Sequence, residues 1–321
     1  MLFSLTPLLD KVFELLDGTI FSTQIGPSLS SLLPMKNFFS LVKFSHTIFA
    51  MPFALVGFFI GTTVAGGGLS WQKLLLVLLC MVFARSAAMA FNRWLDRDID
   101  AVNPRTKVRE IPAGIISPKS ALAFVMANCL LFIATTWFIN PMCFWLSPIA
   151  LAVVLGYSYT KRFTWLCHLV LGLGLSLAPV GAYLAVTGHF DWLPILYGLA
   201  VLLWVAGFDV VYSLQDEDFD RSQRLYSMPS FFGKKQALRI SEWMHLGTAV
   251  LMVLAARHLA SAAPQTGWLL WIGTGVFLAL LLYQHLLVKP NDLSRVNMAF
   301  FTTNGIASLF FGTMVIVDLV I

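Results

Sequence analysis

The sequence predicts an all-α, polytopic membrane protein with nine transmembrane helices. Of its 321 residues, 58% are hydrophobic and only 12% are charged, and the mean hydropathy is +0.80. Soluble domains carry about 25% charged residues, so this composition excludes an ordinary soluble domain. The apolar runs are continuous and do not alternate with polar residues, which favours helices over the strands of a membrane barrel.

Nine apolar runs have the length of about 20 residues that a helix needs to cross the hydrocarbon core. Most of the short links between them contain Gly, Pro, Asn or Ser, which are typical of turns. The cysteines and the later histidines, including His168, His245 and His285, show no metal-ligand spacing, and we interpret them as buried or structural. The predicted spans are 44–65, 71–91, 119–139, 142–160, 165–187, 192–214, 237–259, 267–288 and 297–320.

The distribution of Lys and Arg predicts which side of the membrane each loop faces. Of the 21 Lys and Arg residues, all but Lys73, Arg85 and Arg257 precede or enter the first span or flank the loops after even-numbered spans. The positive-inside rule therefore predicts an inner-membrane protein with a cytoplasmic N-terminus, cytoplasmic even-numbered loops and an external C-terminus. The net charge of +5 follows from this asymmetry and does not indicate a nucleic-acid partner.

Residues 1–34 differ from the rest of the chain. They lack the basic start and the small-residue cleavage site of a signal peptide. Met35 opens a stretch, MKNFFSLVKFSHTIFAMPF, that is typical of a cytoplasmic segment leading into a first span. We therefore expect an N-terminal extension of unknown role at 1–34 and one membrane domain at 35–321.

Half of the 16 acidic residues are concentrated in two segments on the predicted cytoplasmic side. In the stretch NRWLDRDID, Asn92, Asp96 and Asp100 are spaced i, i+4, i+8 and form one row on a helix. Asp216 and Asp220 have the same spacing after the sixth span. Acids beside a membrane span usually face a cavity or a partner, although they also frame solvated helix ends. Because stacked like charges destabilise a bare helix, we expect positive charge between the two rows.

Mg²⁺ is the simplest source of that charge. It takes oxygen ligands and commonly uses one or two carboxylates together with substrate phosphates. Two facing aspartate rows therefore predict a site in which Mg²⁺ holds a diphosphate. Nearby cations would contact the anion, and they also leave open the alternative of structural ion pairs. These cations are Arg93, Arg97, Arg105, Lys107, Arg109, Lys161, Arg162, Arg221 and Arg224.

Three motifs follow one another along the chain. The first is N-x3-D-x3-D at 92–100, followed by NPRTKVREIPAG at 103–114. The second is GYSYTKR at 156–162, and the third is GFDVVYSLQDEDFDR at 207–221. In this order and on these loops, they resemble the motifs of the UbiA superfamily of intramembrane prenyltransferases. The resemblance covers residues 36–321.

The resemblance implies nine helices around a central cavity, with a cytoplasmic cap over the metal site. It also implies Mg²⁺-dependent transfer of a polyprenyl group from polyprenyl diphosphate to an acceptor. Within the superfamily, the sequence is most similar to the bacterial branch that makes ubiquinone or menaquinone. That branch prenylates small hydroxyaromatic acids, either 4-hydroxybenzoate or 1,4-dihydroxy-6-naphthoate.

The resemblance implies roles for individual residues as well. The expected catalytic metal ligands are Asp96, Asp100, Asp216 and Asp220, assisted by Asn92. Diphosphate contacts are expected from Arg105, Arg109 and Lys161, together with the nearby Arg97, and acceptor contacts from Lys43, Arg85, Tyr157 and Asp209. The aromatic candidates for stabilising an allylic cation are Phe91, Trp94, Tyr157, Phe208 and Tyr212.

Two other functions stay open at this point. Another member of the superfamily would use a haem, chlorophyll or archaeal lipid acceptor and would differ only in the residues that contact it. A cation-coupled transporter would distribute its acids through the bilayer or contain broken, inverted-repeat helices. Here the acids gather at one side of the membrane, with basic residues beside them, which favours the transferase.

Overall fold

The helices follow one another with short links, as the apolar runs predict. The computed structural model describes residues 49–321 together with Phe38 and Leu41. A 3₁₀ turn at Leu214–Asp216 joins the helix that ends at Ser213 to the helix that begins at Glu217, and a π-helical turn at Met298–Thr303 leads into the last helix. The helices of the described residues are α1 (Met51–Thr63), α2 (Trp71–Leu95), α3 (Arg97–Val102), α4 (Pro118–Trp137), α5 (Pro141–Thr160), α6 (Cys167–Thr187), α7 (Trp192–Ser213), α8 (Glu217–Ser222), α9 (Met228–Phe232), α10 (Lys234–Ala262), α11 (Trp268–Leu287) and α12 (Asn304–Val320).

The described part of the chain confirms the all-helical membrane fold. Eight of its helical segments have the length and hydropathy to cross a membrane, and the shorter apolar helix α1 precedes them. These segments match the nine predicted spans to within a few residues, wherever both ends are described. The predicted start of the first span at 44 and the predicted boundary between 34 and 35 lie outside the described residues.

Polar residues at the predicted turns begin several of the spanning helices. The side chains of Ser70, Ser117, Asn140 and Asp191 each accept a hydrogen bond from a backbone N–H in the first turn of α2, α4, α5 and α7, respectively. These bonds satisfy donors that lack a partner at a helix start. Gly188 ends α6 with φ of 75°, a left-handed conformation that favours glycine. Short capped turns of this kind place consecutive helices side by side and antiparallel.

An aromatic core holds α1, α7, α11 and α12 together. The Trp204 ring in α7 lies 5.4 Å from Phe53 and 5.3 Å from Phe277, measured between ring centroids. Phe311 in α12 lies 5.3 Å from Phe53. All four side chains are fully buried. Because packed aromatic pairs bury large apolar surfaces, this cluster stabilises the packing of these four helices.

The group formed by α2, α4 and α5 leaves a gap against the rest of the bundle. α2 packs along α4 and α5 but makes few contacts with α6. α6 lies against α1, α5 and α7, so α5 joins the group to the rest of the bundle. A Cβ at Gly57 would clash with the Pro179 carbonyl oxygen, so glycine is required for α1 and α6 to approach each other. The space between α2 and α6 is thereby left open.

The two ends of the bundle differ in chemistry. Ion pairs from Lys161 to Asp96 and from Arg105 to Asp216 bring together the ends of α2, α5 and α7. Because consecutive spans are antiparallel, the helix ends that carry exposed tryptophans lie at the other end. Tryptophan is enriched where a membrane meets water, so these residues indicate the second membrane boundary. They are Trp71, Trp137, Trp192 and Trp268.

One local feature differs from the predicted helix. The sequence predicts that Asn92, Asp96 and Asp100 form a row on one helix, but α2 ends at Leu95 and α3 begins at Arg97. Asp96 lies between them with φ of −89° and ψ of 5°. Its N–H still bonds to the Asn92 carbonyl at 2.9 Å, and the Asp100 N–H bonds to the Asp96 carbonyl at 2.7 Å. The backbone stays nearly helical, and the three side chains line the same space.

Candidate active site

A cavity of about 880 Å³ lies between α2, α5, α6 and α7. Its deeper wall is apolar and includes Val77, Met81, Phe132, Leu146 and Ala178. The mouth is lined by all five residues predicted to hold the metal, namely Asn92, Asp96, Asp100, Asp216 and Asp220. Both aspartate motifs therefore face one space, which is charged at its mouth and apolar in its depth.

Asp96 is the most enclosed of these acids, with only 1% of the residue exposed. Lys161 Nζ lies 2.5 Å from its Oδ2, and Arg162 Nη2 lies 3.0 Å from its Oδ1. The Asn92 amide donates to Oδ2 over 3.2 Å. Burial raises the pKa of the Asp96 carboxyl, while Lys161 and Arg162 act in the opposite direction. The end of α5 thus supplies positive charge to the first aspartate row.

Asp100 is also buried and is paired with a residue of the loop that follows α3. Arg109 Nη1 donates to both carboxylate oxygens, at 2.7 and 2.8 Å. The same loop is held in place by Asn103, whose Oδ1 accepts from the Arg105 N–H at 2.9 Å. The loop therefore folds back over α3 and directs its cations towards the mouth.

Arg105 connects the two motifs directly. Its Nε and Nη2 donate to the two oxygens of Asp216, at 3.1 and 2.5 Å, and its Nη1 donates to the Tyr212 hydroxyl at 2.9 Å. A guanidinium that contacts a carboxylate with two nitrogens forms a strong and geometrically specific pair. Asp220, one turn later, lines the mouth beside Asp216 and forms no ion pair with a described residue. The two motifs, which are far apart in sequence, are thereby held as one cluster.

The donor set suits Mg²⁺ that is bound together with a phosphate-bearing ligand. Among the described residues, no group of three or more His, Cys, Asp and Glu side chains is gathered closely enough to hold a metal ion by itself. Mg²⁺ needs only one or two carboxylates when substrate phosphates complete its ligand shell. The cations that neutralise Asp96, Asp100 and Asp216 are themselves suited to bind a diphosphate. The residues present therefore fit the ion in company with its substrate.

Asp209 lies on α7 below this mouth and also lines the cavity. Its Oδ2 is 2.7 Å from Nδ1 of His168, a buried residue in the first turn of α6. No sequence pattern connects His168 with Asp209, because the two residues are 41 positions apart and lie on different helices. The contact between two helices makes His168 part of the site.

Arg85 lies deeper in the cavity, about two turns below Asn92 on α2. Its Nε is buried and makes no hydrogen bond with any described residue. An unused donor in apolar surroundings is costly, and such groups usually face a ligand or a partner. Tyr157 lines the same cavity. Lys43, the second cation expected to contact the acceptor, lies outside the described residues.

Arg97 is not brought into the cavity with the other expected diphosphate contacts. Its Nη1 donates to the Trp94 carbonyl oxygen at 2.8 Å, and its guanidinium lies over the Trp94 ring at 5.2 Å from the centroid. Arg162, which by sequence is only one of several nearby cations, contacts Asp96 instead. Because Arg97 directly follows Asp96, a helical backbone places its side chain about 100° away from the row of Asn92, Asp96 and Asp100.

Aromatic side chains form one side of the mouth. Tyr212 packs on Phe300 with ring centroids 4.2 Å apart, and Phe208 packs on Phe300 at 5.2 Å. The π-helical turn before α12 places Phe300 and Phe301 there, and the Asn304 amide donates to the Phe300 carbonyl at 2.9 Å. Of the aromatic candidates named from sequence, Tyr157, Phe208 and Tyr212 line the cavity, whereas Phe91 and Trp94 pack in a separate apolar cluster.

Known proteins are similar to this chain in sequence and in architecture. The model of the UbiA prenyltransferase family matches residues 50–306. The 4-hydroxybenzoate octaprenyltransferase of Aliivibrio fischeri is 30% identical over 251 residues, which cover 77% of this chain and 85% of that protein. The apo structure of a UbiA homolog from Aeropyrum pernix K1 is 32% identical, with a TM-score of 0.76 over 86% of this chain and 98% of that one. A UbiA homolog from Archaeoglobus fulgidus bound to GPP and Mg²⁺ has the same fold, with 22% identity and a TM-score of 0.69 over 89% of this chain and 100% of that one.

Proposed function

Because the chain belongs to the UbiA prenyltransferase family and is a membrane-embedded prenyltransferase, we propose its donor and its acceptor. It transfers a polyprenyl group from polyprenyl diphosphate to a small hydroxyaromatic acid in respiratory quinone biosynthesis. The acceptor is 4-hydroxybenzoate or 1,4-dihydroxy-6-naphthoate. Similarity to 4-hydroxybenzoate octaprenyltransferases supports the first of these acids.

The observation that carries this proposal is the contact of Arg105 with Asp216 across the mouth of an otherwise apolar cavity. This contact joins the two acidic motifs, so a charged ligand at the mouth meets both of them. A molecule with a diphosphate head and an isoprenoid tail matches the charged mouth and the apolar depth. The acids of the two motifs gather at one end of the described bundle, which argues against a cation-coupled transporter.

The residues of the mouth have two tasks in this proposal. Asp96, Asp100, Asp216 and Asp220 hold Mg²⁺, and the Asn92 amide assists. When bound, the ion supplies Lewis-acid stabilisation of the negative charge that develops on the departing diphosphate.

The cations of the mouth bind the phosphate oxygens. Arg105, Arg109 and Lys161 exchange their present carboxylate partners for the diphosphate and stabilise its charge as it leaves. Arg162 contacts the same carboxylate as Lys161, so we assign to Arg162 the role that the sequence suggested for Arg97.

Arg85 is the proposed partner of the acceptor's carboxylate. Its buried, unused Nε needs an acceptor of hydrogen bonds, and a carboxylate deep in the cavity supplies one. Asp209 accepts a hydrogen bond from the ring hydroxyl, and Tyr157 completes the wall of this part of the cavity. An acceptor held between Arg85 and Asp209 presents an electron-rich ring to the allylic carbon.

The proposed reaction joins the allylic carbon to a carbon of the acceptor ring. The bond between the allylic carbon and the diphosphate oxygen breaks, and its electron pair stays with the diphosphate. The ring carbon then releases its hydrogen as a proton. An apolar cavity excludes water that would otherwise quench an allylic cation, and the Tyr212 and Phe208 rings at the mouth offer π faces to it.

We further propose that the mouth faces the cytoplasm across the inner membrane, with the N-terminus inside and the C-terminus outside. The excess of Lys and Arg on the loops at the mouth end supports this orientation. Both water-soluble substrate groups, the diphosphate head and the aromatic acid, then enter from the cytoplasm.

The proposed function is tested with membranes that contain the full chain, farnesyl diphosphate and Mg²⁺. Each acceptor is added separately, 4-hydroxybenzoate in one reaction and 1,4-dihydroxy-6-naphthoate in the other. We expect mass spectrometry to detect one farnesylated acid, whose formation stops when EDTA removes Mg²⁺. Membranes containing the Asp216→Asn variant serve as the matched control. The absence of any farnesylated acid from both reactions would contradict the proposal.

A further inference from the structure

We infer that His168 is a positioning residue for the acceptor: it fixes the Asp209 carboxylate so that one oxygen faces the acceptor's ring hydroxyl. This inference rests on the proposed function and concerns a side chain that does not itself touch the substrate. The geometry that supports it links three helices, α6, α7 and α9.

Both ring nitrogens of His168 have partners. Nδ1 lies 2.7 Å from Asp209 Oδ2, and Nε2 lies 3.2 Å from the backbone nitrogen of Met228, the first residue of α9. Only 3% of His168 is exposed. The ring therefore has no freedom to choose other partners without breaking one of these contacts.

The Met228 contact decides which nitrogen carries the proton. A backbone N–H can only donate, so His168 Nε2 is the acceptor and has no proton. In the neutral ring the proton is then on Nδ1, which donates to Asp209 Oδ2. Protonation of Nε2 would remove the acceptor of the buried Met228 N–H, so among the neutral forms of the ring this contact selects the one with the proton on Nδ1.

Asp209 is left with one oxygen available. Its Oδ2 is used by His168, and its other oxygen makes no hydrogen bond with any described residue. Asp209 lines the cavity that also contains Arg85. A carboxylate fixed at one oxygen presents the other in a defined direction, which is what the orientation of a ring hydroxyl requires.

The same contact links the acceptor site to the diphosphate site. The segment before Met228 is bound to the mouth, because the Tyr226 N–H donates to the Lys161 carbonyl at 2.7 Å and the Leu225 N–H donates to the Asp220 carbonyl at 2.8 Å. His168 thus joins the segment that holds Lys161 and Asp220 to the carboxylate that meets the acceptor.

The test compares His168→Asn with His168→Leu in full-length protein in membranes. The two replacements are nearly equal in size, but only asparagine offers an N–H donor near the position of Nδ1. We expect His168→Leu to lower kcat/KM for the aromatic acid by about tenfold to a hundredfold, the effect of losing a hydrogen bond to a charged group. The KM for farnesyl diphosphate is expected to stay unchanged, and His168→Asn is expected to recover most of the loss.

A double-variant cycle separates positioning from a general structural effect. If His168 acts through Asp209, then Asp209→Asn combined with His168→Leu is expected to be no worse than Asp209→Asn alone. His168→Phe keeps the ring volume without a donor and replaces His168→Leu if leucine prevents insertion. The melting temperature of each purified variant is measured alongside.

Three outcomes would overturn the inference while leaving the proposed function intact. They are a donor-free variant as active as the wild type, an asparagine variant as impaired as the leucine variant, and losses that multiply in the double variant. A wild-type enzyme that forms no prenylated acid with any acceptor would instead overturn the proposed function, and this inference with it.

Discussion

Two polar clusters lie within this largely apolar bundle, and they are built in opposite ways. The mouth cluster consists of aspartates neutralised by arginine and lysine. Its members are Asp96, Asp100, Asp216, Arg105, Arg109, Lys161 and Arg162. The core network lies between α7, α10, α11 and α12 and consists of neutral side chains. Its members are Trp204, His245, Gln284, His285 and Asn304.

The core network is closed on itself. The Trp204 indole donates to Asn304 Oδ1 at 2.9 Å, and His245 and His285 share a contact of 2.7 Å between ring nitrogens. His245 Nε2 lies 3.1 Å from the Trp204 carbonyl oxygen, where the ring donates. Each neutral group has a partner, so the cost of burying it in apolar surroundings is offset. Such a network holds α7 in place and offers nothing to a ligand.

The ion pairs of the mouth cluster can be replaced by contacts with a ligand, which distinguishes this cluster from the core network. Its charges lie at helix ends, and several of its side chains remain partly exposed, about a third of the side chain in the case of Arg105, Lys161 and Arg162. Because each of these cations is partly exposed, it can move from its carboxylate to another anion more easily than a fully buried cation could. A ligand with Mg²⁺ and a diphosphate can therefore take over both sets of charges at small cost. We therefore expect the core network to stabilise the bundle and the mouth cluster to bind the ligand.

The largest effect is expected from removing one acid of the mouth. We predict that Asp216→Ala lowers kcat by at least about a hundredfold, because it removes a proposed metal ligand and leaves Arg105 without its partner. The melting temperature is expected to stay close to that of the wild type. The matched control is Asp218→Ala, which removes an exposed acid of the same motif and should retain activity. Loss of activity in both variants would contradict the prediction that only acids that face the cavity are needed for activity.

The next prediction compares a cation that lines the mouth with a cation that lies outside the cavity. We predict that Arg105→Ala raises the KM for farnesyl diphosphate by about tenfold to a hundredfold, the effect of losing a forked contact with an anion. Arg97→Ala is expected to change this KM by less than about twofold, because Arg97 lies over Trp94 and outside the cavity. Equal effects of the two substitutions in steady-state kinetics would contradict the proposal that Arg105, and not Arg97, contacts the diphosphate.

Arg85 tests whether the depth of the cavity binds the acceptor. We predict that Arg85→Met raises the KM for the aromatic acid by about tenfold to a hundredfold and leaves the KM for farnesyl diphosphate unchanged. An acceptor that lacks the carboxylate, such as phenol, serves as the matched control. It should be prenylated equally well, or equally poorly, by wild type and variant. A phenol penalty as large as the acid penalty would mean that Arg85 does not recognise the carboxylate.

The core network is expected to give the smallest kinetic effect. We predict that His285→Ala lowers the free energy of unfolding by about 1 kcal/mol, because the His245 ring loses its 2.7 Å partner within the membrane. Thermal unfolding in detergent measures this loss, and the KM values are expected to stay unchanged. His258→Ala, which changes an exposed histidine of α10, is the control. A change in kinetics without a change in stability would contradict the separation of the two clusters.

Sequence reasoning reached much of the fold and part of the site. The apolar runs predicted the spans because burial in lipid requires length and hydropathy, which are local properties. The two aspartate rows were predicted to face one space, and Asp96, Asp100, Asp216 and Asp220 do line one cavity. The spacing is sufficient to group the members of each row, because a helix places residues four apart on one side.

The remaining features depend on contacts between helices or on a break within one. The interruption between α2 and α3 at Asp96 is not predicted by the residue type at that position, and the packing of Arg97 on Trp94 is not predicted by the charge of Arg97. His168 meets Asp209 only because α6 and α7 pack side by side. The π-helical turn that places Phe300 in the cavity is likewise not predicted by a continuous apolar run. Sequence periodicity predicts which residues share one helix, but it does not predict which residues of different helices meet.

The most direct test of the shared mouth is the Mg²⁺-dependent binding of farnesyl diphosphate to the full chain in lipid nanodiscs. Titration calorimetry compares the wild type with Asp96→Asn and with Asp216→Asn, one variant from each motif. If both motifs hold one Mg²⁺–diphosphate group, each variant should weaken Mg²⁺-dependent binding by at least about tenfold. Wild-type affinity in either variant would show that its motif takes no part in the site and would contradict the account.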